Sequence, residues 1–280
     1  MKDFSRFPIV KDFFPKHEPA FIIAGAQKSG TSSLHYYLNQ HAGLCGSDPK
    51  ELHFFDRKKY QNQSLNYYLR AFKGKRRCLY FESTPNYMYL PFVAKDIKRT
   101  FPNIKLVIVL RDPVQRAFSA WNHYRYKWEK ADQTARGVQP KTQWDRIYDL
   151  FYKNRDAMPS FRECVEIELD LMQKTPEIYE PGLLRKGLYL DQLLHLWEFF
   201  PKNEVKVVGF KDLVNDPERT LNDILGFLGM SESSWAFLSK QKKNVRPYTN
   251  KMLDQDKRFL EEFYREPNQR LFDELGNINW

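Results

Sequence analysis

The stretch that most constrains this chain is residues 21–34, FIIAGAQKSGTSSL. The apolar run 21–24 has the length and composition of a buried strand. It breaks at Gly25 and Gly30 and passes into a helical pattern with Leu34, Tyr37 and Leu38 on one face. A strand, a glycine turn carrying a lysine and a hydroxyl-rich helix start together form an anion cradle. Backbone N–H groups converge at the helix N-terminus, and glycines let the backbone approach the anion closely. Lys28 adds a compact positive charge, while Thr31 and Ser32 add hydroxyl donors. The pattern predicts a phosphorylated ligand. The plainer alternative is an ordinary strand-to-helix turn with Lys28 in solvent.

The turn is not a Walker A loop. That motif places lysine directly after its second glycine and follows it with a magnesium-ligating hydroxyl. Here the order is Gly25-Ala26-Gln27-Lys28-Ser29-Gly30-Thr31, with lysine two residues ahead of the second glycine. The shifted ammonium removes the usual reason to expect a nucleoside triphosphate and Mg²⁺.

Further strand candidates are 78–81, 104–110 and 205–210. Helical spacing of apolar residues marks 65–72, 91–100, 114–126 and 189–200. This alternation predicts an α/β fold with a central, mainly parallel sheet flanked by helices. Asp216-Pro217 opens a helix whose face carries Leu221, Ile224, Leu225 and Leu228 and which Gly229 stops. An amphipathic helix spans about residues 254–275, after a basic, turn-like segment at 239–250. Residues 127–159 are polar, carry Trp128 and Trp144 and lack clean periodicity. They are either a lid over a cleft or a solvated connection. No linker divides the 280 residues, so a single domain is expected.

A net charge of +10 favours anionic ligands. Cys45, Cys78 and Cys164 are an odd, scattered set, which argues against a disulfide framework and a structural zinc site. The N-terminal residues have no apolar h-region, and no apolar run approaches 18 residues. A soluble cytoplasmic protein without a membrane partner is the expectation.

The second chemistry-bearing stretch is 106–124, LVIVLRDPVQRAFSAWNHY. A buried strand ends at Leu110, directly before Arg111-Asp112-Pro113 and a helix bearing Arg116, Ser119 and His123. In an open parallel sheet, ligands bind at the carboxyl ends of the strands, so Arg111 shares a rim with the Lys28 loop. Arg111 and Ser119 suit a second phosphate. A Walker B reading would instead set Asp112 near magnesium, and the simplest reading is a local Arg111–Asp112 ion pair.

Taken together, these motifs resemble sulfotransferases that use 3′-phosphoadenosine 5′-phosphosulfate (PAPS). GAQKSGTSSL resembles their phosphosulfate-binding loop, and RDPVQRAFSAWNHY their 3′-phosphate segment. Lys50-Glu51-Leu52-His53-Phe54-Phe55-Asp56 and Glu82-Ser83-Thr84-Pro85-Asn86-Tyr87 look like signatures of the heparan sulfate sulfotransferase branch. Gly187-Leu188-Tyr189 and the segment from Lys211 to Gly229 are similar too, so the likeness runs from about Phe21 to Gly276.

The resemblance implies a P-loop-like fold, PAPS as donor, PAP as product and a hydroxyl acceptor. A small hydroxylated metabolite is the preferred acceptor and a glycan the alternative, and no nucleic-acid partner is expected. Lys28, Ser29, Gly30, Thr31 and Ser32 would wrap the phosphosulfate. Arg111 and Ser119 would hold the 3′-phosphate, with Tyr189, Lys243 and Arg246 also on the donor side. The family's Lys-Gly-Arg loop reads Lys-Lys-Asn-Val-Arg here, and the cysteine pair of secreted members is missing beside it. Glu51 is the implied general base, with Lys28 and Lys50 stabilising the charge that builds on the sulfuryl group and bridging oxygen. No metal is required. His53 is an alternative base or an orienter of Glu51, and His123 faces acceptor or cofactor. His35 lies on the helix after the loop. Glu82 either contacts the acceptor or orders Lys50. A P-loop kinase using ATP and Mg²⁺ and a polyanion-binding module are the competing readings.

Overall fold

Two apolar runs that look featureless in sequence alternate between two cores. In the strand Pro19–Gly25 (β1), Phe21 and Ile23 enter one layer while Ile22 and Ala24 enter the other. The computed structural model describes residues 18–57, 63–73, 78–130, 150–151, 156–174, 181–235 and 251–280. The remaining strands are Leu44–Gly46 (β2), Leu79–Glu82 (β3), Lys105–Leu110 (β4) and Val205–Gly209 (β5). They form one five-stranded sheet in the order β2-β3-β1-β4-β5, with every neighbouring pair parallel. Ile22 lies opposite Leu106 and Ile23 opposite Val107, which extends the two-sided alternation across the sheet. Burial on both faces is the reason such strands read as continuous apolar runs.

The helices are Thr31–Leu38 (α1), Leu65–Leu69 (α2), Val93–Thr100 (α3), Pro113–Lys130 (α4), Phe161–Lys174 (α5), Tyr189–Trp197 (α6), Phe210–Asn215 (α7), Pro217–Phe227 (α8) and Asp254–Leu275 (α9). Leu34 and Leu38 of α1 pack with Leu221, Ile224 and Leu225 of α8 on one sheet face. Tyr68, Val93, Ile97 and Leu193 cover the other. A third cluster joins α4, α5 and α9 through Phe118, Trp121, Phe161, Val165, Leu260 and Tyr264. Full burial of each such side chain is worth roughly 1.5–3 kcal/mol before entropy is counted.

Most elements fall where periodicity placed them. The Asp216 carboxylate accepts from Arg219 N, and Pro217 opens α8. Three elements had no sequence reading, β2, α5 and α7, the last beginning at Phe210, which the sequence placed at the end of a strand. β2 also corrects the cysteine expectation. It pairs with β3, bringing Cys45 and Cys78 together as a disulfide with Cα atoms 5.9 Å apart. The proposed lid falls mostly outside the described residues, with 127–130 forming the end of α4. Trp128 is buried, and Trp121 Nε1 donates to Pro159 O at 3.0 Å. Among the described residues, no helix is long and apolar enough to cross a membrane.

Candidate active site

The carboxyl ends of the strands deliver two groups of residues to one rim. The first begins where β1 ends. Ala26 N donates to Val109 O at 2.9 Å, so the turn follows the end of β4. Gly30 has φ 90°, and a Cβ there would lie 2.9 Å from the Phe210 ring, so both conformation and space demand glycine. It serves as N-cap of α1 without a side-chain acceptor, and no acidic residue lies in the first turn. The opening amides of a helix have no intrahelical acceptor, so this end is left to attract an anion.

Ser29 and Thr31 are buried, while Lys28 and Ser32 are half-buried. The Arg111 guanidinium donates to Lys28 O at 3.2 Å and lies 4.9 Å from the Phe210 ring centroid. Tyr189 donates its hydroxyl proton to Arg111 O at 2.7 Å, holding the β4 end from behind. Ser119 is buried on α4. Asp112 is committed to capping that helix, accepting from Gln115 N at 2.7 Å, in place of the magnesium role in the Walker B reading. Arg116 is fully buried and donates to the carbonyls of Gly182 and Leu183. It fixes the loop leading to Tyr189 and is no part of the rim. Lys243 and Arg246 lie outside the described residues.

The second group follows β2. Lys50 Nζ donates to Glu51 Oε1 at 2.6 Å. His53 Nε2 is 3.4 Å from Glu51 Oε2, and His53 Nδ1 is 2.9 Å from Asp56 Oδ2. Asn86 Nδ2 donates to the same Asp56 oxygen at 3.1 Å. Lys50, Glu51, His53 and Asp56 thus form one chain from the rim into the core, where the Asp56 side chain is fully buried. Burial favours a neutral His53, but bonds to Asp56 and Glu51 outweigh it and raise its pKa. Burial would also raise Glu51. The His53 bond and the Lys50 charge win, holding its carboxyl at about 2.

The backbone of this irregular segment is held from the turn that follows β3. Thr84 Oγ1 accepts from His53 N at 3.4 Å, and the Tyr87 hydroxyl accepts from Phe54 N at 2.9 Å and Phe55 N at 3.3 Å. Glu82 lies beneath them, fully buried, accepting from Tyr68 at 2.8 Å and Thr84 at 2.9 Å. Its burial drives the pKa to about 7. Glu82 therefore neither orders Lys50 nor reaches an acceptor, which corrects both sequence readings.

Among the described residues, the non-glycine positions with left-handed backbone are Lys28 at φ 70° and His53 at φ 55°. One sits in each group. Such conformations cost of order 1–3 kcal/mol and cluster at functional sites. His123 lies half-buried on α4 with its ring 6.2 Å from that of Tyr124, and the Glu51–His53–Asp56 chain does not include it.

A family model described as the sulfotransferase domain matches residues 18–266. The chain belongs to that family. The sulfotransferase family uses PAPS, and the donor cradle has the residues such a ligand needs: a helix N-terminus, Lys28 and Arg111. The membrane-associated sulfotransferase kil1 of Dictyostelium discoideum is 22% identical over an alignment covering 94% of this chain and 66% of that protein. The human bifunctional heparan sulfate N-deacetylase/N-sulfotransferase 3 is 24% identical, with 76% of this chain and 22% of that protein covered. This chain therefore spans 66% and 22% of these two curated relatives. The crystal structure of a sulfotransferase from Alicyclobacillus acidocaldarius superposes with a TM-score of 0.68 at 26% identity, over 94% of this chain and 97% of that one.

Asp56, Asn86, Tyr87 and Phe210 had no role in the sequence reading. Asp56 closes the K-E-L-H-F-F-D motif, which was the available signal. Phe210 follows the last strand with no motif to mark it.

Proposed function

We propose that this chain transfers a sulfuryl group from PAPS to an acceptor hydroxyl, with Glu51 as general base. The observation that carries the reading is the Lys50–Glu51–His53–Asp56 chain on the rim that also bears the Lys28 and Arg111 cradle. PAPS supplies the sulfuryl group and departs as PAP. As the acceptor oxygen forms its bond to sulfur and the bond to the phosphate oxygen breaks, the hydroxyl proton passes to Glu51. General-base assistance of this kind is worth about 10²–10⁴-fold in rate.

Lys28 and the α1 N-terminus hold the phosphosulfate, while Arg111 and Ser119 hold the 3′-phosphate. His53 is the orienter: Asp56 fixes its Nδ1 side, and its Nε2 side turns the Glu51 carboxylate. A carboxyl held at about 2 is a weak proton acceptor. Lys50 turning from Glu51 toward the developing sulfuryl charge would restore part of that basicity, the His53 bond keeping the rest in check.

A hydroxyl acceptor is the preferred reading, and an amine is the second, because relatives carry N-sulfotransferase in their names. The Cys45–Cys78 disulfide removes the cysteine argument for a cytoplasmic protein and favours an oxidising compartment. A glycan acceptor thereby gains on a small metabolite. The test is a labelled-PAPS transfer screen over sulfated glycans, small alcohols and amines, with Glu51→Gln as control. Transfer to a hydroxyl by the native protein and its collapse in the variant are expected. Full activity in Glu51→Gln would remove the base, and preference for amines would select N-sulfation.

A further inference from the structure

His35 has no part in the chemistry just described, yet it stands between the two halves of the site. It projects from α1, one helical turn beyond Thr31, and is 8% exposed. Its Nδ1 lies 2.7 Å from Ser83 Oγ, a buried contact spanning 48 residues of sequence. The ring rests 4.9 Å from that of Phe81. It also fills the space above Gly46, where a Cβ would come 2.8 Å from both Cε1 and Nε2. On the same helix face, Asn39 Oδ1 accepts from Gly46 N at 2.7 Å.

Ser83 is the connection onward. Its amide donates to Lys50 O at 3.3 Å, and Ser47 Oγ donates to the same carbonyl at 3.0 Å. Ser47 N is itself anchored on Phe81 O at 2.8 Å. A continuous path thus runs from the helix that opens at the donor cradle, through His35 and Ser83, to the backbone of Lys50. Burial, assisted by the Lys50 charge, holds His35 at about 4, so the ring is neutral where an assay would be run.

We propose that His35 is a positioning residue, whose bond to Ser83 sets the placement of Lys50 and Glu51 relative to the donor cradle. The proposal rests on the sulfotransferase reading above. Geometry at the level of 1 Å is worth up to about 100-fold in rate, so a bolt of this kind acts on turnover rather than on donor affinity.

The experiment compares native protein with His35→Phe, His35→Asn, Ser83→Ala and the His35→Phe/Ser83→Ala double variant. Phe keeps the ring packing and removes the bond, while Asn returns a polar group near the Nδ1 position. Each is measured for kcat and KM with PAPS, for PAP affinity by calorimetry, and for exchange of the Ser47 and Ser83 amides with and without PAP. His35→Phe and Ser83→Ala are expected to lose about 10- to 100-fold in kcat, with KM for PAPS and PAP affinity within about threefold of native. The double variant should lose no more than either single one, because both remove the same bond. PAP should slow exchange of the two amides in the native protein and in His35→Asn, and not in His35→Phe.

Unchanged kcat in His35→Phe, additive losses in the double variant, or PAP-induced protection that survives the substitution would each overturn the coupling. So would parallel loss of PAP binding and thermal stability, which marks a merely structural residue. Native protein that neither binds PAP nor transfers from PAPS would instead refute the function itself, and the coupling would fall with it.

Discussion

The two halves of the site are built by different means. The donor cradle is built on one contiguous strand, turn and helix, to which Arg111 is joined from the end of β4. The segment from Ser47 to Asp56 has no strand or helix of its own. It takes its shape from Ser83, Thr84, Asn86 and Tyr87, each 30 to 33 residues away in sequence. The backbone of a cradle made locally takes its shape without help from distant side chains. A segment hung on remote hydroxyls and a buried carboxylate is easily displaced without unfolding the sheet. Substitutions in the first half should therefore register in donor binding, and those in the second in turnover.

The largest effect expected is on that division. Glu51→Gln should lower kcat by about 10²–10⁴-fold and leave PAP affinity unchanged. Lys28→Ala should lower kcat/KM by about 10²–10³-fold and weaken PAP as well. Steady-state kinetics beside calorimetry measures both, and equal losses of PAP affinity in the two variants would erase the distinction.

Next is the scaffold under the base segment. Cys45→Ser removes a cross-link between residues 33 apart in sequence. Chain-entropy reasoning makes that worth roughly 3–4 kcal/mol of unfolding free energy. Denaturant titration of native, reduced and variant protein checks it. A midpoint unmoved by reduction would show that β2 is held by its ladder alone.

Tyr87→Phe is expected to cost about 1–3 kcal/mol, since it strands the buried amide of Phe55 and loosens that of Phe54. It should also lower kcat at constant PAP affinity. If PAP binding falls instead, the two halves are not separable.

The most gradual effect is a pH slope. Glu82 titrates at about 7 when folded against an ordinary 4.5. Between those values the folded chain keeps a proton that the unfolded chain has released, so stability falls as pH rises from 4.5 to 7. One proton amounts to at most about 1.4 kcal/mol per pH unit. Glu82→Gln keeps the neutral form throughout and should flatten that part of the stability curve.

This contrast also explains what sequence could reveal. β1, the Lys28 turn and α1 were legible because strand, turn and helix signals are local. α9 was expected over its observed span from Asp254 to Leu275 for the same reason, its apolar face repeating over several turns. β2 was invisible because three residues, Leu44–Gly46, carry no period, and with it went the Cys45–Cys78 pairing. The role of Glu82 was misread because its partner Tyr68 arrives from α2 through folding alone. The Asp56 contact on the Nδ1 side of His53, which supports the orienter reading over the base reading, likewise forms only in the fold. His35 carried no signal at all, since nothing local ties a residue on α1 to Ser83.

The most direct measurement is calorimetric titration of the protein with PAP and, separately, with ATP·Mg²⁺. A cradle whose lysine precedes the second glycine, backed by Arg111 and with Asp112 spent on a helix cap, should bind PAP and bind it more tightly than ATP·Mg²⁺. Arg111→Ala should weaken that binding. Tighter binding of ATP·Mg²⁺, with none for PAP, would contradict the assignment of PAPS as donor.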